Sequence, residues 1–407
     1  MIELIIIISL IIVIANYIKI CHYEKSYVNL FTATFILMIV AHYILEFIYI
    51  LYNGYSGSVF AYTICYSIYA MQSIITYQVY KLNPPIFNIL LIFNKYSAKS
   101  MMYMAYIFII VSILLYMPTL LEYKEYIFNP RQIYILTRTG YGISFFLSAF
   151  FTNLGFILIL FSQKKLNLKV WIIFIICSIL AILHGSKGQV ITFIFIIVLF
   201  NIYILNNKVN LFKALKNYLA PIIVIMASLF YLTLSATADL DLSEMIYAMS
   251  NYSDYTRNAM KVIDSEDNLL YGRLTLENII YPRIPRSIYP EKPKNFGEFH
   301  LAEKFYPVWF NSDTGAPSFG IGLQWADFGW FSIIYFFWYF VFSAFLTKVH
   351  IVRLRKYNLP ADFIMVIFLT GINLIPIGAG YLLPEHYLVA IFISISGYIA
   401  SLIKIKL

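Results

Sequence analysis

The chain has 407 residues, of which 61% are hydrophobic and 12% are charged, with a net charge of +9 and a mean hydropathy of +0.78. Soluble domains carry about 25% charged residues, so this composition excludes an ordinary soluble protein. The basic residues do not cluster on one polar face, as nucleic-acid binding requires, and we expect no nucleic-acid partner.

Apolar runs of about 18 residues recur along the chain, which is the length that an α-helix needs to cross roughly 30 Å of hydrocarbon. The runs are apolar on nearly every face, unlike the alternating strands of a membrane barrel. The sequence therefore predicts an all-α polytopic membrane protein with about eleven spanning helices. In chain order these are residues 2–18, 28–52, 58–80, 101–121, 141–162, 170–184, 189–205, 219–236, 320–347, 360–377 and 387–403.

The predicted spans divide the chain into three parts. Residues 1–236 hold the first eight helices, 237–319 form one long polar segment, and 320–407 hold the last three helices. The long segment is the only connection that can fold as a substructure outside the bilayer. We therefore expect the chemistry to reside there.

Lysine and arginine residues fall in alternate connections, and such connections face the cytoplasm by the positive-inside rule. The N-terminus is then outside, the C-terminus inside, and residues 237–319 outside the cytoplasm. This distribution explains the positive net charge without nucleic acid. The residues concerned are Lys19, Lys25, Lys81, Lys95, Lys99, Lys164, Lys165, Lys169, Lys208, Lys213, Lys216, Lys348, Arg353, Arg355, Lys356, Lys404 and Lys406.

The three cysteines, Cys21, Cys65 and Cys177, lie in or beside predicted spans. They form no CxxC pair, and none occurs in the long polar segment. We therefore predict neither a disulfide framework nor a metal site.

Four arginines lie in the long segment: Arg257, Arg273, Arg283 and Arg286. A planar guanidinium offers paired donors to phosphate oxygens, so these residues are candidates for binding a pyrophosphate. The alternative is a solvated ion-pair network with nearby acids, which the sequence leaves open. Those acids are Asp254, Asp264, Glu266, Asp267 and Glu277.

The sequence His-Gly-Ser-Lys-Gly-Gln at residues 184–189 joins two apolar runs. Its glycines permit close backbone approach, and exposed N–H groups at a helix start favour an anion near Lys187. The GxxxxGK spacing of a P-loop is absent. A plain tight turn is the alternative interpretation.

Ionisable groups that could accept a proton from a sugar hydroxyl follow a proline-rich stretch of the long segment. They are Glu298, His300, Glu303 and Asp313. His42, Glu46 and Asp327 lie at or within predicted span edges, where a charge is costly and suggests function, although snorkelling would remove that cost for Glu46 and Asp327. Several outward aromatic residues could stack on sugar rings or simply form interfacial belts: Tyr252, Tyr255, Tyr281, Tyr289, Tyr306, Trp309 and Phe310.

Two stretches of the chain resemble the oligosaccharide repeat-unit polymerases of the O-antigen polymerase, or Wzy, type. They are GRLTLENIIYPRIPRSIYPEKPKNFGEF at 272–299 and SDTGAPSFGIGLQWADFGWFSI at 312–333. The matching features are Arg273 after a glycine, the Pro-Arg-x-x-Tyr-Pro-x-Lys-Pro core at 285–293, and a glycine-rich return to the membrane that carries Asp327. The His-Gly-Ser-Lys-Gly turn resembles the Gly-Ser-Arg-Gly turn of the family, with Lys187 in place of the arginine. The likeness covers roughly residues 180–345.

This resemblance implies a GT-C-like fold and a membrane glycosyltransferase of the bacterial inner membrane. Such an enzyme transfers a growing glycan from undecaprenyl pyrophosphate to a new lipid-linked repeat unit, outside the cytoplasm. Donor and acceptor lipid-linked oligosaccharides and membrane lipid are the implied partners, a chain-length regulator is left open, and no cofactor or metal is expected. The residues assigned to the leaving pyrophosphate are Arg257, Arg273, Arg283, Arg286, Lys187 and Lys292; those assigned as general base, without preference, are Glu298, His300, Glu303 and Asp313.

Two other functions remain as alternatives. An O-antigen ligase shares this architecture and differs in its acceptor, the lipid A core. A transporter or flippase of the lipid-linked unit would favour ionisable residues deep within several spans and two similar halves. The polar chemistry here is instead concentrated in one long segment.

Overall fold

The computed structural model describes residues 1–84, 97–128, 130–136, 142–185, 187–205, 250, 254–265, 269–284, 288–311, 317–370, 391–392 and 395. Within these ranges the chain forms helices and no β-strand. The α-helices are α1 (Ile2–Glu24), α2 (Thr32–Ile39), α3 (Leu45–Asn53), α4 (Val59–Tyr80), α5 (Ala98–Glu122), α6 (Pro130–Leu136), α7 (Gly142–Gln163), α8 (Leu168–Leu183), α9 (Lys187–Tyr203), α10 (Tyr255–Ile263), α11 (Arg273–Ile280), α12 (Glu298–Phe305), α13 (Pro307–Asn311), α14 (Gly322–Phe328), α15 (Phe331–Tyr357) and α16 (Pro360–Thr370).

Five helical stretches in the described part are long and apolar enough to cross a membrane. They are Ile2–Glu24, Thr34–Asn53, Val59–Tyr80, Ala98–Glu122 and Phe331–Tyr357. The second joins α2 to α3 through a π-helical turn, Val40–Ile44. Shorter apolar helices cover Leu147–Gln163, Leu168–Leu183 and Thr192–Tyr203. This confirms an all-α polytopic membrane protein.

The count of eleven spans and the GT-C-like fold stay predictions. The predicted span 219–236 lies outside the described residues, as does most of 387–403. The predicted span 320–347 differs from the structure in its bounds. The short helix α14 ends at Gly329, whose φ of +53° no helix accommodates, and the spanning helix α15 begins only at Phe331.

The helices pack in two groups that meet where α16 packs on α7. In one, α1 packs on α4, α4 on α15, and α15 on α16; in the other, α5 packs on α7, and α7 on α8 and α9. Buried hydroxyl groups link helices in both: Ser9 donates to the Tyr66 carbonyl oxygen over 2.7 Å, and Ser112 lies 2.6 Å from Thr152 Oγ1. Apolar side chains contribute little to helix association in lipid, because the lipid tails are equally apolar. Such hydrogen bonds therefore help to specify the packing.

A small set of helices stands on the end of the bundle where α3 stops and α4 starts. Helix α10 packs against α4 and α14, α11 packs against α14, and α12 packs against α11 and α13. The turn before α4 fits closely under α10, because a Cβ atom on Gly57 would lie 2.9 Å from Met260 Cβ. Ser58 also bonds to Asp264 through its N–H, over 2.7 Å, and through its hydroxyl. We call this end of the bundle the loop end.

Candidate active site

A buried ion pair holds α10 against the membrane helices. Arg257 Nη1 lies 3.3 Å from Glu46 Oε2, and Arg257 Nη2 donates to the Ser250 carbonyl oxygen over 2.8 Å. The guanidinium carbon lies 3.9 Å from the centre of the Tyr49 ring, and the Tyr62 hydroxyl donates to Glu46 Oε1 over 2.7 Å. Both charged groups are buried, so each neutralises the other in the interior.

A second buried contact fixes the same helix. His42 Nδ1 lies 2.7 Å from Thr256 Oγ1, and the Tyr69 hydroxyl lies 2.9 Å from that oxygen. The π-helical turn places His42 on the side that meets α10. His42 and Glu46, which stood out in the sequence as ionisable groups in a span, therefore both face α10 rather than lipid.

Asp327 caps the helix that carries Arg273. Its Oδ1 accepts the N–H of Leu274 over 3.0 Å and its Oδ2 accepts the N–H of Thr275 over 2.7 Å. A carboxylate stabilises a helix N-terminus both by these bonds and by its charge against the helix dipole. The chain enters α11 through Gly272, whose φ is +87° and whose added Cβ would lie 3.2 Å from the Phe328 ring. Asp327 is fully buried, so it does not snorkel.

The capped helix presents a polar cluster of three side chains. Arg273 Nε donates to Glu277 Oε1 over 2.8 Å, one helical turn along α11. His300 Nε2, from α12, lies 2.9 Å from Glu277 Oε2 and 3.5 Å from Arg273 Nη2. The Arg273 side chain is 60% exposed and that of His300 is 22% exposed. The cluster is thus accessible from outside the protein, unlike Arg257.

Glu277 is a carboxylate under ordinary conditions. Burial raises its pKa, but the hydrogen bonds from Arg273 and from the Gly297 N–H, with nearby His300, outweigh that effect and hold the pKa below its usual value. The same hydrogen bond and charge raise the pKa of Arg273. The two groups therefore stay ionised together.

The contact with Glu277 also orients the His300 ring. A neutral imidazole carries one proton, and a carboxylate only accepts hydrogen bonds, so the tautomer that fits places the proton on Nε2. The other ring nitrogen, Nδ1, is then the atom that can accept a proton. A carboxylate-oriented imidazole beside an arginine is an arrangement suited to general-base chemistry near a phosphate.

Glu298 holds the segment that leads into α14. Its Oε1 accepts the Ser318 hydroxyl over 2.7 Å and also the Phe319 N–H. Burial raises the pKa of Glu298, these two bonds lower it, and the nearby Asp254 carboxylate raises it further, with a net pKa above its usual value.

A hydrogen-bonded chain of polar groups runs beside Glu298. Asn258 Nδ2 donates to Asp254 Oδ2 over 3.0 Å and to the Ser318 carbonyl oxygen over 2.9 Å. Tyr306 donates to Asn258 Oδ1 and accepts from Lys261 Nζ over 2.7 Å. Burial raises the pKa of Asp254, partly offset by the bond from Asn258.

The other predicted site residues lie apart from the cluster or outside the described chain. Glu303 accepts a bond from Asn295 over 2.9 Å, and Lys292 Nζ donates to the Ile284 carbonyl oxygen over 3.2 Å. Lys187 is the first residue of α9, and Arg283 ends a 3-10 turn, Tyr281–Arg283. The side chains of these two, and all of Arg286 and Asp313, lie outside the described residues.

The turn that precedes Lys187 starts from a buried histidine. His184 Nδ1 donates to the Leu180 carbonyl oxygen over 2.6 Å, and its Nε2 lies 3.1 Å from Ser148 Oγ. Its ring stacks on Tyr116 with 4.0 Å between centroids. His184 therefore ties the start of the turn to α5 and α7.

Sequence reasoning treated Glu277 only as a charge partner, and it missed Asn258. The spacing of Arg273 and Glu277, one helical turn apart, was the signal for the first half of the cluster. His300 was a candidate base by its residue type, but no local pattern pointed to its contact with Glu277, because His300 lies on another helix. Within the described part of the chain no three histidine, cysteine or acidic side chains are placed to hold a metal ion.

Comparison with known proteins identifies the chain. It is 34% identical over 381 residues to the O-antigen polymerase of Salmonella typhimurium (strain LT2) and, to the same extent, to that of Salmonella typhi, covering 93% of this chain and 90% of each relative. No protein-family model and no solved structure matches it. The alignment therefore includes the bundle as well as the helices of the loop end. The chain belongs to the O-antigen polymerase family.

Proposed function

We propose that this protein polymerises undecaprenyl-pyrophosphate-linked O-antigen repeat units at the extracytoplasmic face of the bacterial inner membrane. Two relatives that align over most of the chain are named O-antigen polymerases, and the helical bundle suits a multi-pass enzyme that acts on lipid-linked substrates. The positive-inside pattern supports an extracytoplasmic position for the loop end. The observation that carries the mechanism is the accessible cluster of Arg273, Glu277 and His300.

The reaction requires the protein to stabilise the leaving group and to accept a proton. An acceptor hydroxyl oxygen bonds to the anomeric carbon of the donor glycan while the bond from that carbon to the pyrophosphate oxygen breaks. The pyrophosphate leaves with the electron pair, so its charge must be stabilised, and the hydroxyl proton must pass to a base.

Arg273 stabilises the charge of the leaving pyrophosphate. Its Nε bond to Glu277 fixes the plane of the guanidinium and leaves the Nη groups to meet phosphate oxygens as paired donors. Further positive charge for the leaving pyrophosphate comes from four other residues: Arg283, Arg286, Lys187 and Lys292. Arg257 is instead assigned a positioning role, because its guanidinium is buried against Glu46.

His300 is the base that accepts the proton of the acceptor hydroxyl. Glu277 holds its ring with Nδ1 as the proton acceptor, and the imidazolium that forms is stabilised by the same carboxylate. We prefer His300 over Glu298 as the base, because both hydrogen bonds of Glu298 Oε1 are used to hold residues 318 and 319. Glu303 and Asp313 remain open.

The function is tested by a surface-glycan gel from cells that lack the gene, with and without a plasmid copy. A polymerase predicts that deletion leaves a single repeat unit on the lipid core and that the plasmid restores the ladder of longer chains. Loss of even the single unit would contradict the proposal and indicate a ligase or flippase.

The residue assignments are tested in the same complementation strain. Arg273→Ala, His300→Asn, Arg283→Ala and Arg286→Ala should each abolish the ladder while the protein still inserts in the membrane. Lys294→Gln and Glu291→Gln, at exposed positions of the same segment, are the matched controls and should leave the ladder intact. A full ladder with Arg273→Ala or His300→Asn would remove that residue from the mechanism.

A further inference from the structure

The helix that carries Arg273 exposes a run of apolar side chains. Leu276 is 57% exposed and Ile280 is 44% exposed, and they follow Arg273 at i+3 and i+7, on one side of α11. Tyr271 before the helix is 85% exposed, and Ile288 beyond it is 75% exposed. We call these four residues, Tyr271, Leu276, Ile280 and Ile288, the apolar stripe. Single exposed apolar residues are ordinary, but several of them on and beside one short helix indicate an interaction surface.

An aromatic cluster marks the membrane boundary at the loop end. The rings of Phe60 and Trp330 lie 5.2 Å apart, and those of Trp325 and Trp330 lie 5.7 Å apart. Phe60 is in the first turn of the spanning helix α4, and Trp330 directly precedes the spanning helix α15. Tryptophan at the ends of spanning helices is typical of the interface between hydrocarbon and water.

The start of α11 is bonded to the same place. Leu270 N–H donates to the Ala326 carbonyl oxygen over 3.1 Å, and Tyr271 N–H donates to the Asp327 carbonyl oxygen over 2.9 Å. These residues stand a few positions before Trp330, and Asp327 caps α11 as well. Helix α11 therefore begins at the level of the aromatic cluster, and its eight residues, roughly 12 Å at 1.5 Å each, can lie along the membrane surface.

We propose that the apolar stripe inserts into the lipid leaflet at the loop end, so that α11 lies in the membrane interface and Arg273 stands at the depth of lipid phosphates. The occupant of the stripe is lipid, because α11 starts beside the segment that leads into the spanning helix α15, whose first aromatic residues, Trp330 and Phe331, are exposed. Arginine can keep its stem among apolar groups while its guanidinium reaches the polar layer. That the phosphate it meets is the carrier pyrophosphate rests on the proposed function; the membrane contact does not.

The depth of the stripe can be measured on the full-length protein in liposomes. The three native cysteines are buried, so a nitroxide can be attached to Leu276→Cys or Ile280→Cys, with Glu291→Cys as the water-exposed control. The expected result is that oxygen collides with the labels at 276 and 280 more often than a water-soluble nickel chelate does, with the opposite order at 291.

Two results would overturn the proposal. Collision with the nickel chelate at 276 and 280 as frequent as at 291 would place the stripe in water. Exclusion of both reagents would mean that protein, such as a second copy of the chain, covers it. Neither result depends on polymer formation, so failure here is distinguishable from failure of the polymerase assignment, which the gel decides.

Discussion

Arg257 and Glu46 form a buried ion pair between residues that are 211 positions apart in the chain. A charge that loses its partner in the interior costs about 3–5 kcal/mol, whereas removal of both charges is far milder. We therefore predict that Arg257→Met or Glu46→Gln alone lowers the thermal stability of the detergent-solubilised protein strongly. The double variant should recover much of that loss.

The double variant also separates a structural from a direct role for Arg257. If Arg257 only positions α10, the double variant regains part of the glycan ladder along with its stability. Restored stability with no ladder would instead place the guanidinium in contact with substrate.

Glu298 contributes a pH-dependent part of the protein's stability. The pKa of Glu298 is raised in the folded protein, so its stabilising contribution is present below the usual pKa and is lost as pH rises through the raised one. Glutamine keeps the oxygen that accepts from Ser318 and Phe319 but does not titrate. Glu298→Gln should therefore unfold at a temperature that depends less on pH, between about 4.5 and neutrality.

Activity in the same variant decides between the two bases. We expect Glu298→Gln to retain polymer formation in membranes and His300→Asn to lose it. An inactive, stable Glu298→Gln would transfer the role of base to Glu298.

At the scale of an element, α11 depends on its cap. The carboxylate of Asp327 satisfies two N–H groups of the first turn, and loss of an N-cap costs about 0.5–2 kcal/mol. Asp327→Ala should therefore fray the start of α11 and displace Arg273. We expect a much weaker glycan ladder with only a modest drop in unfolding temperature.

Asn at the same position keeps one oxygen acceptor and provides the matched comparison. Asp327→Asn should retain more polymer than Asp327→Ala. Equal loss in both would mean that the negative charge of Asp327, rather than its hydrogen bonds, is what matters.

At the scale of the whole molecule, the proposed sidedness can be tested with cysteine labelling. The native cysteines in the described chain are buried, so background labelling should be low. In intact spheroplasts, a membrane-impermeant maleimide should label Lys294→Cys, at the loop end, and should not label Lys25→Cys until the membrane is opened. The reverse order would invert the topology and exclude an extracytoplasmic active site.

The sequence alone determined the membrane class and most helices of the described part, because hydrophobic length and composition are local properties of the chain. It also drew attention to Arg273, His300 and Asp327 through residue types in one polar segment. The start of α15 was predicted too early, at residue 320 instead of Phe331. The break at Gly329 depends on a backbone conformation that hydropathy does not register.

Only the tertiary structure decided which charges meet. Arg257 and Arg273 have the same chemistry and lie in the same segment, yet one is buried against Glu46 and the other is exposed beside Glu277 and His300. No local pattern distinguishes them, because burial and pairing arise from contacts between helices distant in the chain. The packing of α10 and α11 on the membrane helices makes that distinction.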